Sequence, residues 1–236
     1  MTLLELENIT ASYGPVQVID GVSLSVPDGG AVGILGANGA GKTTTLRAIC
    51  GMVRAGGSIR FEGREIRGMG PDRIAGIGIA HVPEGRGTFA GLSVKENLRV
   101  GAYLRKDRAK VSSDIDYLLD LFPNLKARYT SAGSALSGGE QQMLAISRAY
   151  MARPKLLMLD EASLGLAPGT AKSVYQAIAR LRQESDIAML VVEQNANLAL
   201  DLVDTATVLE TGRSVLTGAS EELKSMDEIR RAYLGG

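Results

Sequence analysis

The apolar run AVGILG, residues 31–36, passes directly into GANGAGKTT, residues 36–44, and this junction constrains the fold more than any other part of the chain. A short unbroken apolar run ending in glycine reads as a strand buried on both faces. Glycines placed immediately after it permit a tight turn whose successive N–H groups point inward and form a nest for an anion. Residues 43–53 then read as a helix, and the positive end of its dipole faces the same point. Strand, glycine turn and helix in this order form a phosphate cradle. Gly36, Ala37, Asn38, Gly39, Ala40 and Gly41 supply the backbone, Lys42 an ammonium for the β- and γ-phosphates, and Thr43 a hydroxyl for Mg²⁺, with Thr44 next in line.

The rest of the chain is organised around that unit. Strand-like runs recur at 77–82, 156–159 and 187–192, and residues 170–184 read as a helix between the last two. This alternation indicates an α/β fold with a mainly parallel, buried sheet. Residues 3–13, 22–26 and 57–63 alternate apolar and polar instead, as half-buried strands of an antiparallel unit do. From Ser93 to Arg153 the periodicity is helical, in SVKENLRVGAYLR, DIDYLLDLF and EQQMLAISRAYMAR, and Pro154 closes the last helix. The expected organisation is a single domain, 1–236, in which an all-helical lobe, 93–153, is inserted into a core made of 1–92 and 154–236. The tail, 219–234, reads as a mixed-charge helix capping that core.

Composition narrows the functional classes. Lys plus Arg and Asp plus Glu are both 26, and aromatic residues make up only 4%. Such a chain offers neither a basic field nor a stacking surface, so no nucleic-acid partner is expected. One cysteine, Cys50, cannot form an internal disulfide and reads as a small buried filler in an apolar helical run. The segment MTLLELENIT has two acidic residues and no basic one, unlike a signal peptide, and no apolar run approaches the roughly 20 residues that cross a bilayer.

Three further stretches carry chemistry. KLLMLDEAS, 155–163, is an apolar strand ending in two acids. Asp160 can support Mg²⁺, and Glu161 can polarise an attacking water; the alternative is that one of them only caps the next helix. LSGGEQQ, 136–142, opens a helix with Ser137, Gly138 and Gly139, forming a second anion-binding helix tip. Ser137 and Glu140 also have the spacing of a capping box. AMLVVEQNANLAL, 188–200, delivers Glu193, Gln194 and Asn195 to the end of a buried strand, where α/β sheets hold ligands.

The set GANGAGKT, LSGGEQQ and LLMLDE, in that order, resembles the ATP-binding cassette family of transporter ATPases over essentially the whole chain. The resemblance implies a P-loop NTPase (RecA-like) core, an antiparallel N-terminal β subdomain, the inserted helical lobe, and ATP with Mg²⁺ as cofactors. It also explains two cradles in one chain. Two subunits pack head to tail, and each ATP lies between the P-loop of one and Ser137, Gly138, Gly139 and Glu140 of the other. By the same resemblance Lys42 and Glu161 are catalytic, Thr43 and Asp160 hold Mg²⁺, and Tyr13 stacks on adenine. Glu84 stands where the family usually has a glutamine linking γ-phosphate and Mg²⁺ to the helical lobe. Leu166-Ala167 replaces a usual Leu-Asp pair. Gln194 occupies the place of a switch histidine, and an amide there donates to phosphate but transfers no proton; the alternative is that Gln194 caps the following helix.

PEGRGTFAGLSVKENL, EASLGLAPG and VVEQNANLAL together resemble the ATPase subunits of branched-chain amino acid importers. That implies ATP hydrolysis coupled to solute import, on the cytoplasmic face of the membrane. The implied partners are a second ATPase subunit (a heterodimer, or a homodimer for the isolated chain), two transmembrane permeases and an external solute-binding protein. Urea and amide importers have similar subunits and remain an alternative. So does a soluble cassette ATPase acting on ribosomes or DNA, although those usually join two cassettes in one chain.

Overall fold

The structure, a computed structural model, describes residues 1–85 and 87–226. Thr2–Tyr13 (β1) and Val16–Pro27 (β2) form an antiparallel hairpin. β2 is much longer than the expected 22–26: it begins at Val16, and with Val16 and Gln17 exposed no buried face marks its start. Ala31–Leu35 (β3) is buried throughout and leads into Lys42–Ile49 (α1). That helix ends before residue 53 because the amides of Gly51 and Met52 fold back onto the carbonyls of Ala48 (3.1 Å) and Arg47 (2.8 Å), a closure typical of helix C-termini. Arg54–Phe61 (β4) and Arg64–Glu65 (β5) complete an antiparallel sheet of order β2-β1-β4-β5.

Pro71–Gly76 (α2) precedes Ile79–Val82 (β6). Four helices follow: Val94–Gly101 (α3), Arg108–Leu121 (α4), Pro123–Ala127 (α5) and Gly138–Tyr150 (α6). Between Ser93 and Arg153 the only β pairing among the described residues is the isolated bridge Ser93–Ala132. The chain then returns to the sheet with Leu156–Asp160 (β7), Pro168–Glu184 (α7), Ala188–Glu193 (β8) and Ala196–Leu200 (α8). A hairpin, Thr205–Glu210 (β9) and Arg213–Ala219 (β10), has no counterpart in the sequence reading. Of the expected tail helix, Ser220–Ser225 (α9) is helical; residues 227–236 lie outside the described residues.

The second sheet has the order β10-β9-β3-β8-β7-β6, parallel except for the edge strand β10. It separates two apolar layers. On one side Leu156, Met158, Ala188, Leu190 and Val192 pack with α1, α2 and the antiparallel sheet; on the other Leu157, Leu159, Met189 and Val191 pack with α3 to α7. Alternation with period two sends successive side chains to opposite layers, and burial of both layers makes the strands continuously apolar. Because β3, β6, β7 and β8 run the same way, the residues that follow them emerge along one edge of the sheet. That edge carries the site.

Candidate active site

The glycine turn after β3 is locked from several sides. The amide of Ala40 bonds to Ala37 O at 3.1 Å, and the amide of Gly212, from the β9–β10 turn, bonds to Ala40 O at 3.0 Å. Gly41, at φ 105°, leads into α1, and a Cβ there would come 2.5 Å from Ile19 Cδ1. Any side chain there would displace Ile19 and strain a backbone angle that L residues rarely adopt. Lys42 is the first residue of α1 and is 3% exposed. Its Nζ donates to Gly36 O (2.9 Å) and Ala37 O (3.1 Å) and pairs with Glu161 Oε1 at 2.9 Å. The ammonium is thus folded over the mouth of its own loop, with its donors satisfied by protein oxygens.

At the end of β7, Asp160 accepts a 3.0 Å hydrogen bond from Thr43 Oγ1 with Oδ1, while its buried Oδ2 has no hydrogen-bond partner. His81 Nε2, from β6, stands 3.9 Å from Oδ2 and is likewise unpartnered. A buried carboxylate oxygen left without a donor is costly unless a ligand completes it. Glu161 has left-handed backbone (φ 48°), held by its amide bonding to Val192 O at 2.9 Å. That conformation is uncommon for a residue other than glycine and is characteristic of functional sites. Asn38, Gly39, Gly41 to Thr44, Glu84 and Glu161 line one cavity of about 330 Å³, joined by Val18 and Leu164, which the sequence reading did not single out.

The remaining expected residues lie apart from that cavity's lining. Tyr13 ends β1, is exposed, and its hydroxyl accepts from Arg47 Nη1 at 3.0 Å; this bond raises the Arg47 guanidinium above its ordinary value. Gln194 is exposed, one residue beyond β8. It does not cap the next helix, because Asn195 does so, with Oδ1 accepting from the amide of Leu198. Ser137, Gly138, Gly139 and Glu140 form the start of α6. There Ser137 Oγ accepts from the amide of Glu140, and Glu140 Oε2 from the amide of Ser137, a complete capping box. Gly139 packs against α7 so closely that a Cβ would fall 2.3 Å from Thr170 Cγ2. These residues do not line the cavity around Lys42.

Two other features were not read as functional. Cys50 is buried, and burial pushes its thiol up to about 12, so it is a filler and not a nucleophile. Glu193, at the end of β8, is 1% exposed and accepts hydrogen bonds from Ser163 and Tyr175. Its position in VVEQ places it at the ligand-bearing end of a strand but gives it no role of its own, and its Ser163 and Tyr175 partners are 30 and 18 residues away.

A protein-family model described as ABC transporter matches residues 19–164. The high-affinity branched-chain amino acid transport ATP-binding protein BraG of Pseudomonas aeruginosa is 46% identical over 99% of this chain and 100% of its own length. The probable branched-chain amino acid transport ATP-binding protein LivF of Archaeoglobus fulgidus is 33% identical over 99% of each. The lipopolysaccharide export system ATP-binding protein LptB of Haemophilus influenzae is 34% identical over 100% of this chain and 98% of its own. Among solved structures, a nucleotide-free ATP-binding cassette from an ABC transporter superposes with a TM-score of 0.84 at 28% identity, covering 100% of both chains. The ADP conformation of another such cassette gives 0.84 at 27% identity, again with both chains fully covered.

Proposed function

This chain belongs to the ABC transporter family, and from that membership we propose that it is the ATP-hydrolysing subunit of an importer for branched-chain amino acids. The observation that carries the chemistry is the convergence of Lys42, Thr43, Asp160 and Glu161 at one edge of the sheet, with Asp160 Oδ2 buried and unpartnered. The solute class is supported by the end-to-end likeness to BraG, at 46% identity against 34% for LptB.

In this reading the triphosphate takes over the Lys42 ammonium from Gly36 O, Ala37 O and Glu161. Thr43 and Asp160 would hold Mg²⁺ with one hydroxyl and one carboxylate, and Glu84 lines the same cavity; the ion would supply positive charge to the phosphates. Glu161, released from Lys42, orients the attacking water and accepts its proton. Gln194 donates an amide N–H to a γ-phosphate oxygen and so acts by position and charge stabilisation. Tyr13 provides the face for adenine.

A second subunit supplies its own Ser137–Glu140 segment. Its capping box engages the amides of Ser137 and Glu140, and those of Gly138 and Gly139 bind phosphate; the Glu140 carboxylate shapes the tip. We assign residues 93–153 to an inserted helical lobe and 1–92 with 154–236 to the core. The permease contact we assign to the apolar groove between the two, about 560 Å³, where Met52, Val100, Tyr103 and Leu104 are exposed. No helix among the described residues is long and apolar enough to cross a membrane. Our reading is a peripheral subunit on the cytoplasmic face, paired with a second cassette beneath two permeases and served by a solute-binding protein.

The test is reconstitution of the chain with its permeases and binding protein in proteoliposomes. ATP-dependent uptake of leucine, isoleucine or valine that is abolished by Lys42→Ala supports the proposal. ATP turnover with uptake of urea or amides alone replaces the solute class, and no ATP turnover in any combination overturns the assignment.

A further inference from the structure

We infer that Glu193 is a positioning residue for hydrolysis: its buried carboxylate holds the loop after Glu161 and the loop containing Gln194 in a single geometry. The inference rests on the ATPase reading above and adds to it a residue that never touches nucleotide.

Among the described residues no ion pair involves Glu193, although it is 1% exposed. Its charge is met by donors alone. Ser163 N (3.0 Å) and Tyr175 Oη (2.6 Å) donate to Oε1, and Ser163 Oγ (2.9 Å) and Asn195 N (3.4 Å) to Oε2. Burying a carboxylate without a cation is expensive, and an apolar side chain would serve packing better. What the carboxylate does, and an apolar group cannot, is bind donors from three segments at once. Ser163 lies two residues beyond Glu161, Asn195 follows Gln194, and Tyr175 anchors both to the buried face of α7.

The need for such an anchor is visible at Glu161 itself. Its left-handed backbone is held on the amino side by its amide to Val192 O, and on the other side by Ser163 bound to Glu193. A conformation of that kind persists only when its surroundings fix it from both directions. The donors are committed, too. Burial and the neighbouring carboxylate push the Tyr175 phenol well above its ordinary range, so its proton stays on and points at Glu193.

The experiment compares wild type with Glu193→Gln and Glu193→Ala, measuring steady-state phosphate release, nucleotide Kd, and amide hydrogen exchange of the nucleotide-free protein. The expected result is a kcat about ten- to a hundredfold lower, as for a catalytic group displaced by about 1 Å. Kd should change by less than about threefold, and protection should be lost in 161–167 and 193–198 but retained in 36–45. A kcat within about threefold of wild type in the Ala variant overturns the inference. So does a parallel loss of affinity and of protection everywhere, which marks a global structural role. Should neither variant fold, the double variant Ser163→Ala/Tyr175→Phe decides by the same criteria. The exchange arm stands apart from the ATPase reading: an inactive wild type refutes that reading, whereas unchanged exchange in both loops refutes the role of Glu193 even then.

Discussion

Glu161→Gln should move nucleotide affinity and turnover in opposite directions. In the structure the Glu161 carboxylate holds the Lys42 ammonium that a bound phosphate would have to take over: the pair is separated by 2.9 Å, with side chains 3% and 9% exposed. Opposite unit charges at that distance attract by about 6 kcal/mol in an effective dielectric of about 20. Most of that is recovered when Lys42 meets a phosphate oxygen, and the neutral amide still accepts one hydrogen bond from the ammonium. Removing one negative charge from a cavity that receives a polyanion leaves a net gain of about 1–3 kcal/mol, or roughly 5- to 150-fold tighter binding. Meanwhile the amide cannot take a proton from water, which lowers turnover by about 10²–10⁴-fold. Titration calorimetry with ATP gives the affinity, a phosphate-release assay the turnover, and gel filtration the ATP-bound dimer that should accumulate. Turnover within threefold of wild type refutes the catalytic assignment. Weaker binding refutes the competition between Glu161 and phosphate.

Gln194→Ala should reduce kcat by about a hundred- to a thousandfold, the usual loss for one aimed donor in a charge-stabilising site, with ATP affinity nearly unchanged; phosphate release at saturating ATP checks it. Gly139→Val should abolish ATP-dependent dimerisation while the monomer still binds nucleotide, because the added carbons enter the space of Thr170 Cγ2. Adding Thr170→Ala should restore part of the loss, read by gel filtration and turnover. Acid stability should depend on the cluster of Arg105, Asp107, Asp114 and Arg153. The Arg105 hydrogen bonds hold Asp107 down to about 2; at Asp114 burial pulls upward, and bonds from Arg153 and Arg105 outweigh it. Both carboxyls bind protons more weakly when folded, so their stabilisation is present above about pH 4 and is lost between there and about pH 2. Arg105→Met should flatten that part of an acid-unfolding curve followed by circular dichroism.

Local signals carried the parts of the fold that obey local rules. The strand–glycine–lysine junction marked both β3 and α1, because the turn needs glycine wherever it is built. The capping box of α6 was legible from Ser137 and Glu140 alone, since both partners lie within one helical turn. The β9–β10 hairpin was not. Its turn, with Thr211 at φ 44° and Gly212 at φ 81°, lacks the strong Asn-Gly or Asp-Gly signal, and β10 is largely exposed. Its stability comes from the parallel pairing of β9 with β3 some 170 residues earlier, which no window along the chain contains. The length of β2 was hidden for a local reason: Val16 is exposed and Val18 only partly buried, so the apolar residues of 16–21 outline no buried face.

The acids at the strand ends show most clearly where sequence reading stops. KLLMLDE and AMLVVEQ look alike, an apolar run closed by a carboxylate, yet of Asp160 and Glu193 only Asp160 reaches α1 behind the glycine turn. Strand parity separates them. Asp160 shares its face of β7 with Leu156 and Met158, which pack in the layer of α1, so its side chain meets Thr43. Glu193 shares its face of β8 with Met189 and Val191, which pack in the layer of α7, so its side chain meets Tyr175. Period two is written in the sequence, and it fixes which residues of a strand share a face. Which layer covers that face depends on where α1 and α7 cross the sheet, and both strands are buried on both sides, so no polar stripe betrays it. A single residue inserted in β8 before Glu193 should therefore exchange the two roles at that strand end, turning Glu193 toward α1 and Gln194 toward α7. Nucleotide turnover should then fall at least as far as with Gln194→Ala, since the Glu193 anchor is lost as well, and normal turnover in a folded variant of that kind would contradict the parity account.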